Sequence, residues 1–139
     1  MKIAVVYWSS TGNTEAMAQA VAEGARKAGA SAELFTATEF DGGKVDAFDA
    51  IAFGCPAMGA EELEDSEFAP MFESCESKLS GKKIALFGSY GWGDGEWMRS
   101  WEETCRGDGA DLVSEGVVCL ETPDDDALNA CRELGASLA

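Results

Sequence analysis

The sequence predicts a single-domain α/β fold, a doubly wound, five-stranded parallel sheet with helices on both faces. Two observations predict it. Short apolar runs rich in β-branched residues alternate with amphipathic helical stretches along the whole chain, as strand–helix–strand crossovers require. The strand runs are apolar at nearly every position, which suits strands covered on both faces. Right-handed crossovers leave few topologies, and 139 residues fit one domain spanning residues 1–139.

The first strand is KIAVVY, residues 2–7, which runs into a Ser/Thr/Gly cluster. The first helix begins at Thr14, with Met17, Val21 and Ala25 on one face and Gly29 at the position that closes a helix C-terminus. Residues 32–35 form a second strand and residues 48–54 (FDAIAFG) a third. Residues 66–79 are helical and Gly81 ends them. The fourth strand is KIALFG, residues 83–88, and residues 95–107 are helical again. Residues 112–120 make the fifth strand, irregular at residues 114–116. Pro123 and Asp124 open a last helix that runs to about Leu138, with Asp124 as its N-cap.

Composition narrows the function. With 46% hydrophobic and 26% charged residues, the chain is an ordinary globular sequence. Its 26 acidic and 10 basic side chains give a net charge of −16. Such a field repels nucleic acid and anionic membranes, and it speeds encounters with basic protein patches. There is no histidine, so Ser-His-Asp and Cys-His nucleophilic sites are excluded, as are the common zinc patterns. The five cysteines are odd in number and no two are spaced C-x-x-C, which fits free thiols in a reducing compartment. No run of 18 apolar residues occurs and the N-terminal apolar run is too short for a signal sequence, so a cytoplasmic monomer is expected. Any redox or group-transfer chemistry must then come from a bound cofactor.

Three loops carry the candidate site, and all follow strands. Ligands of open α/β sheets bind beyond the carboxyl ends of strands. Ser9, Ser10, Thr11, Gly12, Asn13 and Thr14 follow the first strand and open the first helix. The unpaired N–H groups and positive end of a helix suit a phosphate, and neutral hydroxyl and amide donors supplement them. No Lys follows the loop, so the triphosphate-binding P-loop is absent, and G-x-G-x-x-G is absent too. After the third strand come Pro56, Ala57, Met58, Gly59, Ala60 and Glu61. After the fourth come Ser89, Tyr90, Gly91, Trp92 and Gly93. Trp92 between glycines and the thioether of Met58 offer two faces for a flat aromatic ring. A receiver domain of the same topology would need acids at the end of the first strand, where Tyr7 and Trp8 stand. A flavin-dependent quinone or azo reductase would need a nicotinamide site, for which no second dinucleotide motif exists.

The stretches YWSSTGNTEAMA, GCPAMGAEELEDSEF and LFGSYGWGDGEWM resemble the short-chain, clostridial-type flavodoxins over nearly the whole chain. The resemblance implies a sheet order of 2-1-3-4-5 and non-covalently bound FMN. It implies a low-potential one-electron carrier, not an enzyme, that works between semiquinone and hydroquinone and passes electrons to redox proteins with basic docking patches. It places the phosphate at Ser9 through Thr14 with help from Ser89, Trp8 near the phosphate and ribityl chain, and the ring between Met58 and Trp92. Glu61 matches the acid that accepts from the flavin N3–H. The Gly59–Ala60 peptide matches the bond that flips on reduction. Ala60 and Pro56 depart from residues that several relatives carry. Ala60 lacks glycine's freedom in a type II turn, and Pro56 lacks a hydroxyl and an N–H. Acids near the ring, among them Glu61, Glu62, Glu64, Asp65 and Asp94, would lower the second reduction step. A carboxylate ~10 Å away costs roughly 1.7 kcal/mol at an effective dielectric of ~20, or on the order of 70 mV.

Overall fold

The computed structural model describes residues 1–58, 62–91, 93 and 95–139. Gly59, Ala60, Glu61, Trp92 and Asp94 lie outside the described residues. The elements run β1 (Lys2–Tyr7), α1 (Asn13–Lys27), β2 (Ser31–Thr36), β3 (Ala50–Gly54), α2 (Phe68–Glu76), β4 (Lys83–Tyr90), α3 (Glu96–Gly107), β5 (Asp111–Leu112), β6 (Val117–Leu120) and α4 (Asp125–Leu138). All named strands pair in parallel, in the order β2-β1-β3-β4, with β5 and then β6 on the outer side of β4. This is the expected 2-1-3-4-5 order.

Alternation within each strand explains the continuous apolar runs. Ala4, Val6, Ile51, Phe53, Ile84 and Leu86 face a core completed by Phe68, Phe72, Trp97 and Trp101 from α2 and α3. Ile3, Val5, Ala50, Ala52, Ala85 and Phe87 face the opposite core, made by α1 and α4. A strand buried on both faces cannot alternate polar with apolar, so the sequence shows no period of two.

Several expected boundaries move. The fourth strand runs on from residue 88 to Tyr90, so Ser89 and Tyr90 belong to β4 and not to the loop after it, and β2 is one residue longer at each end than expected. The third strand begins at Ala50, because a 3₁₀ stretch, Gly42–Ala47, precedes it and Phe48 N–H donates back to the Val45 carbonyl at 3.2 Å. The α2 helix spans Phe68–Glu76 and not residues 66–79. Its last expected residues close as tighter turns, with Lys78 N–H on the Cys75 carbonyl and Leu79 N–H on that of Glu76. The fifth strand is two short strands, β5 and β6, and the break falls at the irregular residues 114–116. At the break, the buried Glu102 of α3 accepts a 2.6 Å hydrogen bond from Gly116 N–H. A side-chain carboxylate there takes the place of a ladder partner.

The helix ends follow the sequence signals. Gly29, at φ +97°, closes α1, with its N–H on the Arg26 carbonyl and the Ala30 N–H on that of Ala25. The Asp124 carboxylate accepts from Ala127 N–H at 2.8 Å, as an N-cap should.

Candidate functional site

The β1–α1 loop leads straight into the N-terminus of α1. Gly12 is the N-cap of α1 at φ +93°, a left-handed geometry that a side chain would strain, and no side chain caps the helix. Ser9 Oγ accepts from Gly12 N–H at 3.1 Å and Thr11 Oγ1 from Asn13 N–H at 3.4 Å, which folds the hydroxyls around the turn. Thr14 and Ser89 are 1% and 5% exposed, and their hydroxyls meet at 3.2 Å. That contact ties the start of α1 to the end of β4.

Hydrogen bonds hold the other two loops against each other. Cys55 N–H donates to the Phe87 carbonyl at 3.1 Å and Ala57 N–H to the Ser89 carbonyl at 3.0 Å. The Trp97 indole N–H donates to the Cys55 carbonyl at 3.2 Å. Met58 and Glu62 exchange two backbone hydrogen bonds, each 2.9 Å, and so close the β3–α2 loop on itself. Tyr90 packs its ring 5.4 Å from that of Trp97.

Together the loops form one cavity of about 230 Å³ at the carboxyl ends of the strands. Ser9, Ser10, Thr11, Asn13 and Thr14 line it from one side, and Pro56, Ala57 and Met58 from a second. Ser89, Tyr90 and Gly91 complete it, with Glu121 at the margin. No lysine or arginine is among the described residues that line it. An anion held there must rest on hydroxyls, backbone N–H groups and the positive end of α1.

A larger cleft of about 540 Å³ lies on the other side of the same loop, between it and residues 36–38 after β2. Trp8 and Gly12 line this cleft, while Ser9, Ser10 and Thr11 form the wall between the two. The Trp8 indole N–H donates to Glu67 at 2.8 Å, and Tyr7 donates to Glu15 at 3.2 Å. The smaller cavity is the candidate site, because all three loops named from the sequence meet there. Gly93 is described, at φ +85°, but does not line either space. The roles expected of Gly59, Ala60, Glu61 and Trp92 lie outside the described residues.

Glu64 is not part of an exposed acidic ring. It is 5% exposed. Its carboxylate accepts from the Ser66 hydroxyl and from the N–H groups of Ser66, Glu67 and Phe68, the last three at 2.8 Å. Burial alone would raise its pKa, but the Ser66 hydroxyl and the three N–H groups outweigh that and hold it down to about 2. Glu64 therefore caps the entrance to α2 and braces the loop that carries Met58.

Glu121 was missed from the sequence. It is the one described non-glycine residue with positive φ, at 57°, and its N–H donates to the Tyr90 carbonyl at 2.7 Å. It directly follows β6, so the rule that pointed to the loops after the first, third and fourth strands also pointed to it. The broken strand hid that register.

Comparison with known proteins gives a consistent result. The family model described as flavodoxin matches residues 5–135. The chain is 45% identical to the flavodoxin of Megasphaera elsdenii, covering 99% of this chain and 98% of that one. It is 44% identical to the flavodoxin of Clostridium beijerinckii, covering 97% of each. The fold matches the solution structure of two-electron reduced Megasphaera elsdenii flavodoxin with a TM-score of 0.89, over 98% of this chain and 97% of that one.

Proposed function

The chain belongs to the flavodoxin family and is a small FMN-binding electron carrier, and on that premise we propose which residues hold the cofactor and set its working range. The observation that carries the assignment is the convergence of three strand-end loops on one cavity free of lysine and arginine among its described lining. Ser9, Ser10, Thr11, Gly12, Asn13 and Thr14, with Ser89, hold the phosphate. The donor set fits the group, because the positive end of a helix whose N-cap glycine has no side chain, together with clustered hydroxyls, binds a dianion without a basic side chain. A cavity of about 230 Å³ suits the phosphate and ribityl end.

When bound, FMN supplies the one-electron chemistry. The chain's own residues orient and tune it. Pro56, Ala57 and Met58 on one loop, and Tyr90, Gly91, Trp92 and Gly93 on the other, flank the ring. Gly59, Ala60 and Glu61 contact its polar edge, an assignment that rests on the family resemblance. Trp8, held by Glu67, supports the phosphate loop from the neighbouring cleft. Fixed negative charge opposes the addition of further negative charge, so the acidic chain works at low potential. The protein catalyses no substrate reaction of its own, acts as a cytoplasmic monomer, and docks redox proteins through their basic patches. Among the described residues no helix is long and apolar enough to cross a membrane.

Titration of the apoprotein with FMN, followed by quenching of flavin fluorescence, tests the phosphate assignment. The pair Thr14→Val with Ser89→Ala removes both members of one hydrogen bond, so neither hydroxyl is left unsatisfied in the fold. Affinity is expected to fall roughly 10–100-fold, the loss of one or two hydrogen bonds to a charged group. Unchanged affinity contradicts the assignment.

A further inference from the structure

Two acids meet at the C-terminal ends of α2 and α3, away from the strand ends that carry the candidate site. Glu76 is the last residue of α2 and Asp108 is the C-cap of α3, and both are partly buried. A helix end of this kind carries partial negative charge and favours a cation, yet each of these holds a carboxyl group. The Asp108 carboxyl lies within hydrogen-bond reach of Glu76. Asp108 Oδ2 is buried, and no donor among the described residues reaches it. A buried oxygen is costly to leave in that state. On the α2 side the surrounding charged and titratable groups are Glu73, Cys75, Lys78 and Asp41, the last being the N-cap of the 3₁₀ stretch. On the α3 side they are Glu102, Cys105 and Arg106. Lys78 is turned to Asp46 at 3.8 Å. Burial pushes the Cys75 and Cys105 thiols up to about 11 and about 12, so both stay neutral in acid. The donor that fits Asp108 is a proton carried by the neighbouring carboxyl.

We propose that Glu76 and Asp108 share one proton in mildly acidic solution and that this proton latches the end of α2 to the end of α3. One carboxyl, protonated, donates to the other. With both ionised the tie is lost and two like charges face each other. Burial first, then the charge and hydrogen bond of Asp108, then the charge of Glu73, raise the Glu76 pKa above its ordinary 4.5. The folded pair therefore keeps a proton at a pH where the unfolded chain has released it. Its stabilisation is fully present below about 4.5 and is lost as pH rises through the raised value. That window lies on the opposite side of 4.5 from the one in which Glu64 acts. A groove of about 460 Å³ runs between the two helices, from Glu62 and Leu63 near Met58 to Glu76 and Thr104. The latch fastens the end of this groove that lies away from Met58.

The test is a carbon-13 NMR pH titration of the FMN-loaded protein, with urea unfolding measured across the same range. The side-chain carboxyl carbons of Glu76 and Asp108 are expected to share an inflection above 4.5, because coupled groups titrate as a unit. Asp108→Asn is expected to move the Glu76 inflection down toward 4.5. Glu76→Gln, whose amide donates to Asp108 at every pH, is expected to remove the fall in stability above 4.5. It is also expected to raise the folding equilibrium constant at pH 7 about two- to tenfold, the span of one net hydrogen bond. Carboxyl carbons that titrate independently near their ordinary values overturn the proposal. So does a Glu76 inflection that stays in place in Asp108→Asn, since burial alone then raises it. A Glu76→Gln variant with the wild-type pH slope overturns it too. A calcium-dependent rise in wild-type stability at pH 7 that Glu76→Gln abolishes overturns it in favour of a bound cation. Should neither variant fold, the wild-type titration decides alone.

Discussion

Single side chains in this protein are set by the company they keep, and Glu64 is the clearest case. Four donors converge on one buried carboxylate and lower its pKa from an ordinary 4.5 to about 2. A depressed carboxylate stabilises the fold in full above its unfolded pKa, and that contribution is lost as pH falls from about 4.5 toward 2. Glu64→Gln is expected to cost roughly 1.5–3 kcal/mol at neutral pH and to flatten the acid side of the stability curve, read by urea unfolding across that window. A variant with the wild-type acid slope would deny Glu64 this role. The thiols follow the opposite rule. Burial pushes Cys55, Cys105 and Cys131 up to about 12 and Cys75 up to about 11, and raises Cys119 as well. With an aromatic disulfide reagent at pH 8, the native protein should react slowly and first at the half-buried Cys119, while denaturant exposes all five cysteines. Glu61→Gln is expected to raise the lower of the two one-electron potentials by roughly 30–70 mV, once salt screening is allowed for. No change on titration would remove Glu61 from the ring's edge.

At the scale of elements, the packing of α1 on α4 depends on two glycines, each set against the backbone of the other helix. A Cβ on Gly24 would sit 1.9 Å from the Arg132 carbonyl oxygen, and one on Gly135 would sit 1.9 Å from that of Val21. Gly24→Ala gains up to about 1 kcal/mol in helix propensity. It must also separate two backbones, which costs about 1–3 kcal/mol or more, so the crossing wins and the variant is less stable. A more stable Gly24→Ala in chemical denaturation would contradict this. The sequence shows these glycines only as weak points in two amphipathic helices, because close approach is a tertiary fact. The same limit governs the boundaries. The end of α1 was legible, since Gly29 marks its own closure. The start of α2 was not, because its cap is a side chain that folds back from Glu64 and is not the residue before the helix. The split of the fifth strand was legible as an irregularity at residues 114–116. Its cause, the Glu102 carboxylate on Gly116 N–H, comes from a different helix.

Across the whole molecule, the sheet order places the loops after β1, β3 and β4 side by side, and the site follows from that adjacency. The loop proposed to hold the phosphate was legible as a structural unit because its signal is local: a strand end, hydroxyls and a helix start within six residues. Glu121 was not, because its place depends on the register of β6 with Tyr90. The net charge of −16 acts at this scale too. On the proposed reading it leaves the phosphate to neutral donors and to the end of α1, and a field of this sign opposes further negative charge and speeds encounters with basic proteins. Reduction of a basic redox protein should therefore slow steeply as ionic strength rises through the range where the Debye length falls from ~30 Å to ~8 Å. A rate indifferent to salt would separate the charge from docking. The most direct test of the account is an anaerobic reductive titration of the FMN-loaded protein followed by visible spectra. Two separate one-electron steps, with a long-wavelength band that peaks after the first and vanishes after the second, are the predicted result. Bleaching in a single two-electron step would contradict the one-electron carrier.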